Sequence, residues 1–405
     1  MLSISEADRP SAAAPVTDPV TDPVRLGVAG LGRGFMLTLP SLRADPHVRL
    51  VACAAPRPAS RETFLAEFGG NAHDDIEALA ADPAVEAVYV ATPHQMHRAH
   101  AEAVARAGKH ILVEKPLAID LDDARAIVEA ARRAGVQLVT GPSHSFDQPV
   151  QRAHEIIASG RVGRVRMIHA LNFTDFLYRP RRPEELRTEQ GGGVIFSQAV
   201  HQIDMLRLLA AAPARSVYAM TGAWDPARPT EGAYGAMIGF EGGCFANLTY
   251  SGYAHYLSDT MQDGIGELGW PVDPASYGAA RRALAAVDRP EDEAALKGDR
   301  SYGAVPAPPP APHAEHFGPV IVCCDRADLR LTPKGVEIWG DLGRDFIPAP
   351  PDPAPRSPVL EALYRAIRRN DPPPQAVAWG LASLEICHAI LASARSGQPV
   401  ALDHQ

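Results

Sequence analysis

Two short stretches carry residues able to do chemistry on a hydroxyl-bearing substrate. The first is Glu114-Lys115-Pro116, which ends an apolar, strand-like run at 110–113. Only four lysines occur in the 405 residues (Lys109, Lys115, Lys297 and Lys334), so a lysine at a strand end is informative. In open α/β sheets the carboxyl ends of strands face the ligand crevice. An ammonium placed there can hydrogen-bond a substrate oxygen and stabilise negative charge developing on it. Lys115 is therefore a candidate catalytic residue, with a surface ion pair as the alternative, and Glu114 and Pro116 hold the turn. The second stretch runs from Gly191-Gly192-Gly193 through Ser197 and His201 to Asp204. On a helix Ser197, His201 and Asp204 stand at i, i+4 and i+7 and share one face. Imidazole titrates near neutral pH, so His201 suits the removal of a hydroxyl proton as general base. Ser197 can hydrogen-bond but supplies no charge, and Asp204 is read as an orienting group.

These groups need a scaffold. Val24-Arg25-Leu26-Gly27-Val28-Ala29-Gly30-Leu31-Gly32-Arg33-Gly34 passes from a strand pattern through a glycine-rich turn into a helix pattern. That order opens a dinucleotide-binding βαβ unit, in which the backbone approaches a pyrophosphate at a helix N-terminus. Gly30, Gly32, Arg33, Gly34 and Phe35 are the cofactor candidates, with Phe35 where a third glycine or alanine is usual. The next strand, 48–53, runs into Ala54-Ala55-Pro56-Arg57 without the carboxylate that binds a ribose 2′-hydroxyl. The nearby Arg57 suits a 2′-phosphate, so the sequence favours NADP(H) over NAD(H); an exposed turn residue is the alternative.

From Val24 the strand patterns 25–30, 48–53, 86–91, 110–113 and 136–140 alternate with helix patterns at 34–44, 58–68, 74–81, 95–107 and 120–134. Such alternation predicts an α/β Rossmann domain, a doubly wound parallel sheet, over 24–145. Residues 146–405 read as an α+β substrate and oligomerisation domain with a mainly antiparallel open sheet. Its helices fall near 149–159, 198–210, 358–369 and 375–396. Its strands fall at 164–175, 215–224, 234–241, 243–251, 319–324, 328–332 and 336–339. Residues 253–318 form an irregular insertion with a helical piece near 277–286 and a Pro/Ala run at 305–312; residues 1–23 read as a disordered tail.

A net charge of −9 and a pI of about 5.9 argue against nucleic acid or an anionic membrane surface as partner. The five cysteines form no C-x-x-C pair and no metal-finger spacing, so we expect free thiols, no metal site and a reducing compartment. The N-terminus lacks a basic start and an apolar run, and no segment reaches membrane-spanning length. A cytoplasmic location is expected.

Ala91-Thr92-Pro93-His94-Gln95-Met96-His97 and Ala107-Gly108-Lys109-His110-Ile111-Leu112-Val113-Glu114-Lys115-Pro116 resemble the Gfo/Idh/MocA oxidoreductase family, named for glucose–fructose oxidoreductase and inositol dehydrogenase. The resemblance implies an NAD(P)-dependent dehydrogenase that takes a small-molecule substrate. It adds Thr92, Pro93, His94, His97 and Glu114 to the cofactor candidates and makes His201 the catalytic histidine. It also implies a homo-dimer or homo-tetramer joined through the open sheet face. Many members carry Asp where Ser197 stands, and Gly141-Pro142-Ser143-His144 replaces their commoner Asn-x-Arg-Phe pattern. With Phe176-Leu177-Tyr178-Arg179-Pro180-Arg181-Arg182, these departures resemble the 4,5-dihydroxyphthalate dehydrogenase branch, which implies a phthalate cis-dihydrodiol as substrate. His144, Tyr178, Arg179, Arg181, Arg182, Ser197 and His201 are then the substrate-binding candidates. Arginine's planar fork matches a carboxylate, although these arginines can equally pair with Glu184, Glu185 or another subunit. A sugar, cyclitol or hydroxy-acid dehydrogenase, an NAD-assisted glycoside hydrolase and a nucleotide-binding sensor without turnover stand as alternatives.

Overall fold

The structure, a computed structural model, describes Val20 and residues 22–287, 289–298, 302–303 and 309–405. The expected tail falls almost wholly outside these residues; Asp22, at its end, pairs with Arg368 at 3.1 Å. Residues 305–308, half of the Pro/Ala run, lie outside them as well.

The first domain is a six-stranded parallel sheet in the order β3-β2-β1-β4-β5-β6. Its strands are β1 (Val24–Ala29), β2 (Val48–Ala54), β3 (Asn71–His73), β4 (Ala87–Val90), β5 (His110–Val113) and β6 (Leu138–Thr140). Helices α1 (Arg33–Ala44), α2 (Pro58–Phe68), α3 (Ile76–Ala81), α4 (His97–Arg106) and α5 (Leu121–Ala134) connect them. Strand β4 is buried at every position, as expected of a central parallel strand covered on both faces. Helix α5 shows the local logic: the Asp120 carboxylate accepts the Asp123 N–H at its start, and Gly135 closes it in the left-handed region. The strand order reverses between β1 and β4, and at this switch point Gly30, after β1, packs against Ala91 and Thr92, after β4.

The second domain contains α6 (Gln148–Ala158), β7 (Val165–Phe173), α7 (Val200–Ala210), β8 (Ala214–Gly222), β9 (Ala233–Phe240) and β10 (Phe245–Ser251). After the insertion helices α8 (Ala279–Ala285) and α9 (Pro290–Gly298) come β11 (Val320–Cys324), β12 (Ala327–Thr332), β13 (Gly335–Gly340) and β14 (Arg344–Pro348). Helices α10 (Ser357–Arg369) and α11 (Trp379–Ser396) and the short β15 (Val400–Ala401) end the chain. The nine strands form one sheet in which only the β7–β10 pair is parallel. One face carries α6, α7 and α11; the other exposes Tyr218, Met220, Met237, Ile321 and Phe346.

Three strands and one helix were not read from the sequence. β3, β14 and β15 lie at or near sheet edges, where few side chains are buried and the apolar period fades. α9 lies within the insertion, and its buried Glu293 pairs with buried Arg228. α10 returns to the first domain, where Val359, Leu360 and Leu363 join the core formed by Leu26, Phe35 and Leu39.

Candidate active site

Lys115 sits just past β5, deep in the crevice between the two domains, and its Nζ lies 3.4 Å from the Ser197 carbonyl oxygen. Burial lowers its pKa to about 8, with Arg356 pushing the same way and Glu114 opposing. The helix that delivers His201 begins with a π-helical turn, Ile195–Ala199, and not with the regular helix expected from 198. Such a turn widens the helix by one residue and recurs where a side chain must be re-aimed. His201 is buried, and its Nδ1 has no hydrogen-bond partner among the described residues. Burial holds its pKa well below the ordinary imidazole value, and the charges of Lys115, His144 and Arg356 add to the effect. A neutral imidazole beside an ammonium is an arrangement able to take one proton and stabilise the oxygen left behind.

Ser197 is only partly buried and meets Lys115 through its backbone carbonyl. Asp204 does not share the site: its carboxylate accepts the Ser145 N–H at 3.0 Å and the Trp379 indole N–H at 2.5 Å. It braces the junction, as its orienting role requires.

The imidazole of His144 packs edge to face against His201, with centroids 4.6 Å apart, and the Phe317 ring lies 5.0 Å from both. His144 Nδ1 is 2.6 Å from the Asp147 carboxylate. Burial alone would lower the His144 pKa, but Asp147, Glu315 and Glu267 outweigh it and the net direction is up. Asp147, Glu315, Phe317 and Arg356 were all missed by the sequence reading. Only the His144-x-x-Asp147 spacing offered a signal. His144, Asp147 and Glu315 present ligand atoms within 4.8 Å of one another, a juxtaposition the expectation of no metal did not foresee. Two features already balance its charge: the His144–Asp147 bond, and Arg356 Nε at 3.8 Å from Glu315.

The cofactor candidates divide into three groups. Gly30 has φ +93°, and a Cβ there would stand 2.7 Å from the Ala91 carbonyl oxygen. Gly32 caps α1 and faces open space, so among the described residues no neighbour requires a glycine there. Gly34 lies against Glu114, whose carboxylate accepts the Tyr89 hydroxyl at 2.5 Å. Arg33 opens the helix and Arg57 stands exposed at the head of α2, beyond the acid-free end of β2. Thr92, Pro93 and His94 line the loop after β4, and Gln95 bridges from it to the Gln190 carbonyl oxygen at 3.0 Å. This turn, open at Gly32 and without an acid after β2, fits a dinucleotide.

Two of these residues are corrected by the structure. The Phe35 side chain is wholly buried against Tyr302, 5.1 Å away edge on, so only its backbone remains for a cofactor. His97 is wholly buried, with its ring nitrogens 3.0 Å from the Thr92 and Pro116 carbonyl oxygens. It clamps one cofactor loop to the Lys115 turn and does not line the crevice.

The arginine loop is corrected too. Arg179 donates to Asp175 at 3.0 Å and lies 3.5 Å from Glu267, so its charge is already matched. Arg181 is buried, stacks 3.5 Å over the Phe176 ring and donates to the Phe176 carbonyl oxygen, leaving its Nε without a partner among the described residues. Arg182 is exposed, and its backbone N–H bonds Glu185. Tyr178 is covered by Arg281 of α8, 4.1 Å over its ring. The three arginines do not converge as a set of carboxylate forks.

Residues 24–141 match the Gfo/Idh/MocA oxidoreductase family, NAD-binding Rossmann fold, and residues 150–269 match its C-terminal domain. The chain belongs to the Gfo/Idh/MocA oxidoreductase family. It is 45% identical over 375 residues to a 1-carboxy-3-chloro-3,4-dihydroxycyclohexa-1,5-diene dehydrogenase of Comamonas testosteroni, covering 91% of this chain and 94% of the relative. Among solved structures, a protein of Bordetella bronchiseptica RB50 assigned as a dehydrogenase superposes with a TM-score of 0.89. Its identity is 39%, over 94% of this chain and 100% of that one. The aldose–aldose oxidoreductase of Caulobacter crescentus, at 22% identity and a TM-score of 0.68 over 93% of this chain and 100% of that one, shares the fold. The protein is thus an NAD-binding dehydrogenase of this family, and among the described residues no helix is long and apolar enough to cross a membrane.

Proposed function

We propose that the protein oxidises a carboxylated cis-dihydroxycyclohexadiene to the corresponding catechol, with NADP+ as the favoured acceptor. The observation that carries this reading is the Lys115 ammonium deep in the crevice, 3.4 Å from the Ser197 carbonyl oxygen on the turn that leads into His201, where its charge helps keep the buried imidazole neutral. The substrate class comes from the Comamonas relative, whose name gives a ring with one carboxyl and two hydroxyl groups. A phthalate diol carries two carboxylates and asks for two cationic subsites. With Arg179 neutralised and Arg182 exposed, the loop expected to supply them favours a monocarboxylate instead.

When bound, the nicotinamide supplies the acceptor for hydride from a ring carbinol carbon. His201 takes the hydroxyl proton, and Lys115 donates a hydrogen bond to the oxygen as its charge grows. The resulting ring ketone tautomerises to the catechol, and aromaticity makes the oxidation irreversible in practice. Exposed Arg57 supports NADP+ because among the described residues no hydrogen bond or ion pair holds its guanidinium away from a 2′-phosphate. The exposed row Tyr218, Met237, Ile321 and Phe346 supports self-association through the open sheet face, and a cytoplasmic setting suits a reduced-cysteine chain using this cofactor.

Steady-state assays of cofactor reduction test the reading. Turnover is expected with the cis-dihydrodiol of a benzoate, weaker turnover with that of phthalate, and none with inositols or aldoses. Lys115→Ala should abolish turnover with a modest loss of cofactor affinity. Activity on polyols alone would overturn the aromatic assignment, and substrate hydrolysis without net reduction would favour the glycosidase alternative.

A further inference from the structure

We propose that Arg356 is the carboxylate-binding residue of this site, the group that selects an acidic ring over a neutral one; the assignment rests on the oxidation proposed above. Arg356 comes from the proline-rich connector ahead of α10, where no sequence pattern marked it. Its side chain is 15% exposed and lines the same pocket as His144, His201 and Glu315, with Pro142 and Pro355 as apolar walls. A guanidinium carries five N–H donors in a fixed fork. Among the described residues its only side-chain hydrogen bond runs from Nη1 to Thr38 Oγ1, at 3.2 Å. Glu315 stands 3.8 Å from Nε, beyond hydrogen-bond length, so donors remain for a ligand.

The anchoring explains the position. The Arg356 backbone N–H donates to Ser41 Oγ at 2.9 Å, so both of its ties run to α1, the helix that opens with the cofactor turn. A carboxylate held by Arg356 is thereby placed relative to that turn, with His201 on the same pocket wall. Arg179 is matched more closely: its Nε donates to Asp175 at 3.0 Å and its Nη1 lies 3.5 Å from Glu267, whereas Glu315, the partner of Arg356, stands at 3.8 Å with Glu114 and Asp147 acting only through their charge. A charge-assisted bond from a fixed, mostly dehydrated fork is stronger than one from a free surface side chain.

The test uses the full-length protein loaded with NADP+ and titrates benzoate and its neutral isostere benzamide by calorimetry. Arg356→Gln should weaken benzoate about 100-fold and benzamide less than about threefold, while cofactor affinity stays within about threefold. Arg356→Lys keeps the charge but loses the fork, and should cost benzoate about tenfold; it carries the test if the glutamine variant fails to fold. Unchanged benzoate affinity, equal losses for both probes, or no benzoate binding to the wild type would overturn the assignment. Benzoate binding that depends on Arg356 in a protein that oxidises no dihydrodiol would refute the oxidation reading while sustaining the carboxylate subsite.

Discussion

The imidazoles of His144 and His201 meet edge to face 4.6 Å apart, yet their environments drive their proton affinities in opposite directions. Asp147 raises the proton affinity of His144, whereas burial and the surrounding cations lower that of His201. Two like groups in contact thus divide into one whose charged form is favoured and one kept as a free base.

This division fixes the expected pH profile. His201 loses its proton at a pH below the ordinary imidazole value, so the acid limb of kcat/KM should lie below the ordinary imidazole range. Lys115 is charged below its value of about 8 and neutral above it, so activity should fall as pH rises through about 8. A profile flat to pH 10 would contradict the role of the ammonium.

The two turn glycines should fail differently. Gly30→Ala forces a Cβ onto the Ala91 carbonyl oxygen at a positive φ and should cost about 1–3 kcal/mol of stability, read as a lowered Tm. Gly32→Ala meets no protein atom, so its Tm should match the wild type while cofactor affinity falls about tenfold or more. Matching losses of stability in both variants would mean that Gly32 has no cofactor role.

Arg57→Ala should raise KM for NADP+ about 10- to 100-fold, as expected for loss of a charge-assisted contact, and leave KM for NAD+ within about twofold. Equal effects on the two cofactors would remove the argument for a 2′-phosphate site.

The exposed face of the nine-stranded sheet predicts self-association. Met220 is 69% exposed, and Met237 and Tyr218 lie across from one another on adjacent strands. The double variant Met220→Asp, Met237→Asp should shift the protein to a monomer in sedimentation without lowering Tm by more than a few degrees. An oligomer that survives both charges would place the contact elsewhere.

The sequence by itself determined the Rossmann scaffold, because parallel strands and amphipathic helices follow from local periodicity, and helix ends such as Asp120 and Gly135 are marked by single residues. It also singled out Lys115 and His201 as the chemistry-bearing candidates, since each sits in a motif contiguous along the chain. Only the tertiary structure decided which donors are spoken for. Arg179 and Arg356 look alike as residues, but Asp175 takes a hydrogen bond from the first beside Glu267, while α1 holds the second at the pocket, its Glu315 partner 3.8 Å away and beyond hydrogen-bond length. His97 and Phe35 stand in cofactor motifs, yet burial directs one to the backbone of two loops and the other into the core. Periodicity records what is buried along one segment. Pairing of charge depends on atoms brought together across as many as 346 positions, as Asp22 and Arg368 are, and no local pattern encodes it.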